Sequence, residues 1–229
     1  MNVDKAVIQH ERYVALLSEL GVDVVEISAE SGYPDGVFVE DAAVVLDEVA
    51  VITRMGCESR RGESKTVADA LAHYRKLLFM DETGTLDGGD VMRVGKVLYV
   101  GHSGRSNDDG IDQFASLTSL YGYAVRPVVV SSCLHFKTGC TYLGDNTILL
   151  NPRWVPPYEF SDLDIIETDH AEPFAANSLT IGDTVLYPSC FPKTEAKLVS
   201  RGLNVRTLDI SELQKAEAGL TCMSLIGDH

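Results

Sequence analysis

Three short segments of this sequence carry side chains that could form a nucleophilic site. Cys222 lies in the apolar segment GLTCMSL near the end of the chain, and His135 is the lone histidine of LHFKTGC. A histidine that is oriented by a carboxylate can activate a thiol as a nucleophile. Asp87, in LDGGDV, stands at the head of a predicted strand and is suitably placed to orient that histidine. A cysteine in an apolar strand is more often a core residue, so the interpretation depends on the accompanying histidine and carboxylate.

Two further carboxylates interrupt an apolar run. Glu40 and Asp41 end the segment PDGVFVED, and AAVV follows them directly. If this run is one strand, adjacent side chains point to opposite faces, so at least one carboxylate faces the interior or a pocket. A buried carboxylate needs an arginine, a hydrogen-bond network or a cationic ligand. An internal salt bridge is therefore the alternative to a binding role.

Composition limits the classes of protein to consider. The chain has 229 residues, 45% of them hydrophobic and 23% charged, which predicts one globular domain over residues 1–229. A net charge of −15 argues against nucleic acid as a partner and suits a cationic small molecule. Five scattered cysteines disfavour a disulfide framework. With neither a signal peptide nor a membrane-length apolar run, we expect a cytoplasmic protein that does not bind a membrane.

The elements that must position these residues form a repeating pattern. A helix is predicted over Asp4–Gly21 and a buried strand over Val22–Ile27. Hairpin turns then recur near residues 47, 95, 145 and 182, and Met223–Ile226 with Gly227-Asp228 supplies the first arm of a fifth. The predicted hairpin arms are 37–45 with 49–52, 91–94 with 97–100, 140–143 with 147–150, and 178–181 with 184–187.

Helices and strands are predicted between these hairpins. The predicted helices are Ser64–Leu78, Gly110–Tyr121 and Lys193–Arg201, and the last two are followed by strands at Tyr123–Val130 and Val205–Leu208. The third interval holds only the acidic segment Glu159–Asp169, so that module looks reduced. One hairpin, helix and strand cannot bury its own apolar face, so neighbouring modules should stack. An ordinary α/β sandwich with accidental hairpin spacing is the alternative.

The motifs together resemble a known family. PDGVFVED, ITRMGCESRR, LDGGDV, LHFKTGC and GLTCMSL occur in the order found in the dimethylarginine dimethylaminohydrolase family of the pentein, or guanidino-group-modifying, superfamily. The match runs from about Asp4 to Ile226. The resemblance implies an α/β fold, a five-bladed pseudo-symmetric propeller of ββαβ modules. Family members have a further strand and a lid loop before the first helix, so the N-terminal module is expected to be incomplete.

The resemblance also implies a role for each motif residue. Cys222 resembles the nucleophile, His135 the general acid and base, and Asp87 the carboxylate that orients the histidine. The remaining matches concern substrate binding: Asp41 with Glu40 for the guanidinium, Asp35 and the carbonyl of Ala216 for the α-amino group, and Arg60 with Arg105 for the α-carboxylate.

The implied reaction converts asymmetric dimethylarginine or monomethylarginine to citrulline and an amine through a covalent S-alkylthiouronium on the cysteine. The partner is then a small methylated arginine, no metal or organic cofactor is required, and a homodimer is left open. Within the superfamily, an arginine deiminase or an amidinotransferase is the alternative. A non-catalytic amino-acid-binding protein on the same scaffold is a second alternative of a different class.

Overall fold

The structure is a computed structural model that describes residues 1–28 and 30–227. The α-helices are α1 Val3–Glu19, α2 Glu63–Leu71, α3 Asp108–Ser119, α4 Phe136–Gly139 and α5 Pro192–Ser200. The strands are β1 Ala43–Val45, β2 Val49–Ile52, β3 Lys76–Phe79, β4 Val91–Val94, β5 Val97–His102, β6 Ala124–Val129, β7 Cys140–Gly144, β8 Thr147–Leu150, β9 Asp164–Glu167, β10 Leu179–Ile181, β11 Thr184–Pro188 and β12 Asn204–Leu208. This is an α/β fold.

The twelve strands of the described chain form four sheets with the same topology. In each sheet the first two strands pair antiparallel as a hairpin, and the third pairs parallel with the second. A parallel pair needs a crossover, and α2, α3 and α5 provide it in the first, second and fourth sheets. The third sheet has only the 3-10 turn Pro157–Phe160 there. The predicted hairpin repeat and its reduced third module are therefore confirmed.

The chain divides into two compact units. One contains Ile27–Lys137, Arg153–Pro156 and the segment that begins at Cys222; the other contains Met1–Glu26, Thr138–Pro152 and Pro157–Thr221. The first unit holds the sheets β1-β2-β3 and β4-β5-β6, and the second holds α1 and the other two sheets. One domain over residues 1–229 stays a prediction.

Apolar middle strands build the core of each unit. In the first unit every residue of β2 is buried, and Val49 and Val51 pack in one cluster with Leu98, Val100 and Phe114. A strand covered on both faces is expected to be continuously apolar, as VAVI is. In the second unit an equivalent cluster includes Leu149, Val185, Tyr187 and Leu198. These cores hold the loops that precede each hairpin.

Four local predictions are wrong. Residues 22–27 form no strand, because none of them is buried and they pair with no strand in the described chain. The helix predicted over Ser64–Leu78 ends at Leu71, because residues 76–79 pair with β2 instead. Glu40 and Asp41 lie in a 3-10 turn, Val39–Ala42, before β1 rather than within a strand.

The fifth hairpin arm is the fourth wrong prediction. Thr221–Met223 is a 3-10 turn, and residues 224–227 form no strand in the described chain. Asp228, in the turn predicted beyond them, lies outside the described residues. Across the described residues, every helix is too short or too polar to cross a lipid bilayer.

Candidate active site

The acidic and histidine residues occupy equivalent places before three successive hairpins, and all three residues belong to the first unit. Asp41 lies in the 3-10 turn that leads into β1, and Asp87 immediately precedes the 3-10 turn Gly88–Asp90 that leads into β4. His135 lies between β6 and α4, five residues before β7. Each side chain thus belongs to the loop that enters a hairpin, and a loop held by a rigid core is a common location for functional residues.

His135 and Asp87 form a buried pair. Nε2 of His135 lies 2.9 Å from Oδ2 of Asp87, and the Asp87 side chain has no exposed surface. The backbone N–H of Gly56 donates to the other oxygen, Oδ1, at 2.8 Å. Both oxygens of Asp87 are therefore fixed by donors, which orients the imidazole and leaves Nδ1 as the ring nitrogen that does not face Asp87. The predicted His–Asp contact is present.

Asp41 lies beside this pair and is itself held in place. Its Oδ1 is 3.7 Å from Nε2 of His135 and accepts the backbone N–H of Gly89 at 3.2 Å. Its Oδ2 accepts Nη1 of Arg60 at 2.6 Å. A side chain at position 89 would put Cβ 2.8 Å from Asp41 Oδ1 and 2.9 Å from His135 Cγ, which is closer than carbon atoms normally approach. Glycine at this position is therefore a steric requirement of the cluster.

The surrounding carboxylates keep His135 protonated near neutral pH. Burial by itself lowers the pKa of an imidazole. Here the hydrogen bond to Asp87 and the negative charges of Asp41 and Asp90 outweigh burial and raise the pKa of His135 to about 9. The site at neutral pH thus presents an imidazolium, which can donate a proton to a leaving group before it acts as a base.

Arg60 is buried in an ion-pair network. Its Nε and Nη2 donate to the carboxylate of Glu63 at 2.8–3.1 Å, and Nη2 also donates to the carbonyl oxygen of Phe38 at 3.0 Å. Burial disfavours the charge, but Glu63 and Asp41 outweigh it, so the pKa of Arg60 is raised. The two carboxylates engage all three guanidinium nitrogens, and the predicted role of Arg60 in binding a substrate carboxylate stays a prediction.

Arg105 differs from Arg60. Its side chain is one quarter exposed, and Nη1 lies 3.7 Å from Oδ2 of Asp87. Although Nη1 is buried, it has no hydrogen-bond partner among the residues that the structure describes. A buried guanidinium nitrogen without an acceptor is costly, so Arg105 is a suitable donor for an incoming anion.

The other predicted substrate residues lie in different surroundings. Glu40 is buried, and Nζ of Lys137 lies 2.5 Å from its Oε1. Asp35 is exposed in the turn before Phe38, where its backbone oxygen accepts the Phe38 N–H at 2.9 Å. Ala216 ends the 3-10 turn Leu213–Ala216 and belongs to the second unit. The roles of Glu40, Asp35 and Ala216 stay predictions.

Cys222 is half-buried in the same compact unit as His135 and Asp87. Three residues later, Leu225 packs against the apolar cluster that includes Ala42 and Ala43, and a Cβ at Gly227 would lie 2.8 Å from Val45. The segment that follows Cys222 therefore packs against the core of the unit that holds His135 and Asp87.

The sequence predictions missed several residues that hold this cluster. Gly89 and Asp90 belong to the 3-10 turn that follows Asp87, and the Gly89 N–H donates to Asp41. Ser106 accepts the Asp87 N–H and donates to Asp90, and Lys137 pairs with Glu40. The second glycine and the final aspartate of LDGGD were the available signal, because paired glycines indicate close approach of other atoms. Ser106 had no signal of its own, since a single serine in a loop is ordinary.

The same cluster has the composition of a cation site. Asp41, Asp87 and His135 each offer one ligand atom, and these atoms lie within 4.8 Å of one another. However, donors from Gly56, Gly89 and Arg60 already engage the carboxylates.

Comparison with known proteins identifies relatives over almost the whole chain. The family model described as N,N dimethylarginine dimethylhydrolase, eukaryotic, matches residues 1–149. The N(G),N(G)-dimethylarginine dimethylaminohydrolase of Pseudomonas aeruginosa is 35% identical over 96% of this chain and 88% of the relative. The enzyme of the same name from Streptomyces coelicolor is 36% identical over 95% of this chain and 84% of the relative.

Solved structures show the same relationship. A cysteine-to-serine variant of the Pseudomonas aeruginosa enzyme, complexed with citrulline, superimposes with a TM-score of 0.94 at 35% identity and covers 97% of this chain and 88% of that one. A histidine-to-glycine variant of a dimethylarginine dimethylaminohydrolase, as an adduct with S-methyl-L-thiocitrulline, gives a TM-score of 0.93 with the same identity and coverage.

Proposed function

Because this chain belongs to the dimethylarginine dimethylaminohydrolase family, we propose that it hydrolyses asymmetric dimethylarginine or monomethylarginine to citrulline and dimethylamine or methylamine. The buried His135–Asp87 pair beside Asp41 carries this proposal. A guanidinium is a weak electrophile because its positive charge is delocalised. Carboxylates that hold the cation and an acid that protonates the leaving amine are what its hydrolysis requires.

We assign the covalent step to Cys222. Its thiolate attacks the central guanidinium carbon, and the bond from that carbon to the methylated nitrogen breaks. His135 transfers its proton to the departing amine and leaves a covalent S-alkylthiouronium. The neutral imidazole then removes a proton from water, and the resulting hydroxide adds to the same carbon. The carbon–sulfur bond breaks, and the added hydroxyl group loses its proton to solvent, which releases citrulline and the thiolate. The pKa of His135, raised to about 9, supports its role as the acid in the first half.

The remaining roles follow the charges of the site. Asp41 is proposed to hold the guanidinium, with Glu40 behind it, and Asp35 and the Ala216 carbonyl are proposed to bind the α-amino group. Arg105 is proposed to bind the α-carboxylate, because its buried Nη1 has no hydrogen-bond acceptor among the residues that the structure describes. Arg60 remains the second candidate for that carboxylate.

The decisive experiment is product analysis with three substrates. Purified protein is incubated separately with asymmetric dimethylarginine, monomethylarginine and arginine, and citrulline is quantified. We expect citrulline from the methylated substrates. Citrulline from arginine alone would contradict the proposal and favour an arginine deiminase, and formation of an amidino-transfer product in the presence of an acceptor amine would favour an amidinotransferase.

The nucleophile is tested by labelling. A 2-chloroacetamidine probe should add one mass increment at Cys222, and Cys222→Ser should abolish both labelling and turnover while substrate binding persists. Cys57 is the matched control, because a hydrogen bond from Ser59 outweighs burial and lowers the pKa of this half-buried thiol. Labelling at Cys57 instead of Cys222, or full activity in Cys222→Ser, would reject the assignment.

We also propose that the four sheets belong to a five-bladed α/β propeller of ββαβ modules in one catalytic domain. The common topology of the four sheets supports this, together with similarity to the solved relatives. A crystal structure that shows a different arrangement would reject the propeller. A single cooperative unfolding transition is expected for one domain, and light scattering tests whether the protein forms a homodimer.

A further inference from the structure

Asp90 is a completely buried carboxylate next to the candidate catalytic pair. Its Oδ1 accepts the backbone N–H of Phe136 at 2.8 Å. Its Oδ2 accepts the hydroxyl groups of Ser103 at 2.6 Å and Ser106 at 2.7 Å. A buried charge is tolerated only when donors replace the lost water. Three short hydrogen bonds therefore fix both oxygens of Asp90.

The direction of each hydrogen bond can be assigned from its neighbours. The Ser103 hydroxyl oxygen accepts the backbone N–H groups of Arg105, at 2.9 Å, and Ser106, at 3.3 Å, so its proton is left for Asp90. The Ser106 hydroxyl oxygen accepts the N–H of Asp87 at 3.1 Å, so its proton is also left for Asp90. All three contacts therefore present protons to Asp90. Burial raises the pKa of this carboxyl, and the three donors oppose that shift by favouring the ionised form.

These bonds connect Asp90 to both members of the pair. Phe136 is the residue after His135, so its N–H fixes the backbone on the histidine side. Ser106 passes the restraint to the backbone N–H of Asp87 on the other side. We propose that Asp90, acting through Ser106 and Phe136, is a positioning residue that sets the separation of His135 and Asp87.

A glycine in β5 supports this proposal independently. A Cβ at Gly101 would lie 2.5 Å from Cβ of Phe136 and 3.1 Å from Oδ1 of Asp90. The neighbouring strand thus leaves space where Phe136 meets Asp90, and any larger residue would push the two apart. Asp90 and Gly101 therefore both constrain the position of Phe136.

The negative charge of Asp90 and its hydrogen bonds can be removed separately by two substitutions. His135 is faced by the carboxylates of Asp41, Asp87 and Asp90, and burial together with Asp90 raises the pKa of the neighbouring Cys133 thiol to about 12. Ser106→Ala removes the link to Asp87 but keeps the charge of Asp90. Asp90→Asn removes the charge but keeps an oxygen that can accept the Phe136 N–H.

The experiment compares these two variants with a matched control. Ser64→Ala makes the same chemical change at another buried serine, whose hydroxyl donates only to the Thr53 carbonyl at 3.3 Å. Ser106→Ala should lower kcat on asymmetric dimethylarginine on the order of 10- to 100-fold with little change in KM, because misplaced catalytic groups slow the chemical step. Asp90→Asn should lower kcat similarly and move the NMR titration midpoint of His135 to lower pH. Ser64→Ala should stay within about twofold of the parent for kcat.

The positioning role of Asp90 depends on the proposed function only where the test measures kcat. The Nε2 proton of His135, observed by NMR without substrate, reports the hydrogen bond to Asp87 directly. It should lose its downfield shift in Ser106→Ala and in Asp90→Asn but not in Ser64→Ala. An unchanged Nε2 resonance in both variants would overturn the positioning role even if the protein makes citrulline. A parent protein without activity would reject the proposed function and leave this resonance test intact.

Discussion

Replacing Asp87 by asparagine should lower the pKa of His135 from about 9 toward neutral pH. Oδ1 of Asp87 accepts the Gly56 N–H at 2.8 Å, and an asparagine would keep its carbonyl oxygen on that buried donor. The amide nitrogen would then face Nε2 of His135 and donate to it. Because Nε2 must in that case accept a hydrogen bond, the protonated ring loses its strongest partner.

The size of the effect follows from the contact that is lost. A hydrogen bond between charged groups contributes about 1.5–3 kcal/mol, which corresponds to about one to two pH units at 1.36 kcal/mol per unit. The pKa of His135 is raised to about 9 by Asp87, Asp41 and Asp90 against burial. We therefore expect a midpoint of about 7 to 8 in Asp87→Asn. Because the amide no longer orients the protonated ring, kcat should also fall on the order of 10²- to 10⁴-fold.

The assay is a ring-carbon NMR titration of His135 between pH 5 and pH 10 in the parent and in Asp87→Asn. Asp47→Asn is the matched control, because it makes the same substitution in an exposed carboxylate that pairs with Arg93 at 2.6 Å. It should leave the midpoint of His135 and the citrulline rate unchanged. A midpoint in Asp87→Asn within a few tenths of the parent value would refute the reasoning, because the carboxylate would then not govern the ring.

Three further outcomes are expected. The free energy of unfolding should fall by up to about 3 kcal/mol between about pH 6.5 and about pH 9. The raised pKa of His135 stabilises the folded protein below the pKa of the unfolded state, and this contribution disappears above the pKa of the folded state. Urea unfolding at several pH values measures it, and His135→Gln should remove this dependence of stability on pH. Gly89→Ala should lower kcat on the order of 10²-fold because its Cβ would displace the ring, whereas Gly32→Ala, with nothing within 4 Å, should not; equal rates in the two variants would contradict this. Arg60→Ala should destabilise the protein by about 3–5 kcal/mol, because it leaves two buried carboxylates without their cation. Arg93→Ala, which removes an exposed ion pair, should cost less than about 1 kcal/mol. A raised KM with unchanged stability in Arg60→Ala would instead indicate that Arg60 binds the substrate α-carboxylate.

Local patterns in the sequence were sufficient to predict the hairpins and crossover helices of the modules. The four hairpins follow from short apolar runs separated by turn residues such as Gly95 and Gly182, whose φ of +58° favours glycine. The crossover helices follow from amphipathic spacing. These features depend on residues close together in the chain, which is why sequence reasoning recovered them. It failed at residues 76–79, because pairing with β2 overrode the local helical preference.

The identity of the candidate residues was also available in the sequence, but their relationships were not. Asp41 and Asp87 could be singled out as acids within apolar surroundings, and the family resemblance named their partners. That Arg60 binds Asp41, and that Asp90 reaches Phe136, depends on contacts between residues 19 and 46 positions apart. Asp41, Asp87 and Asp90 raise the pKa of His135 against the effect of burial, and they surround the ring only when their separate loops meet in the tertiary structure.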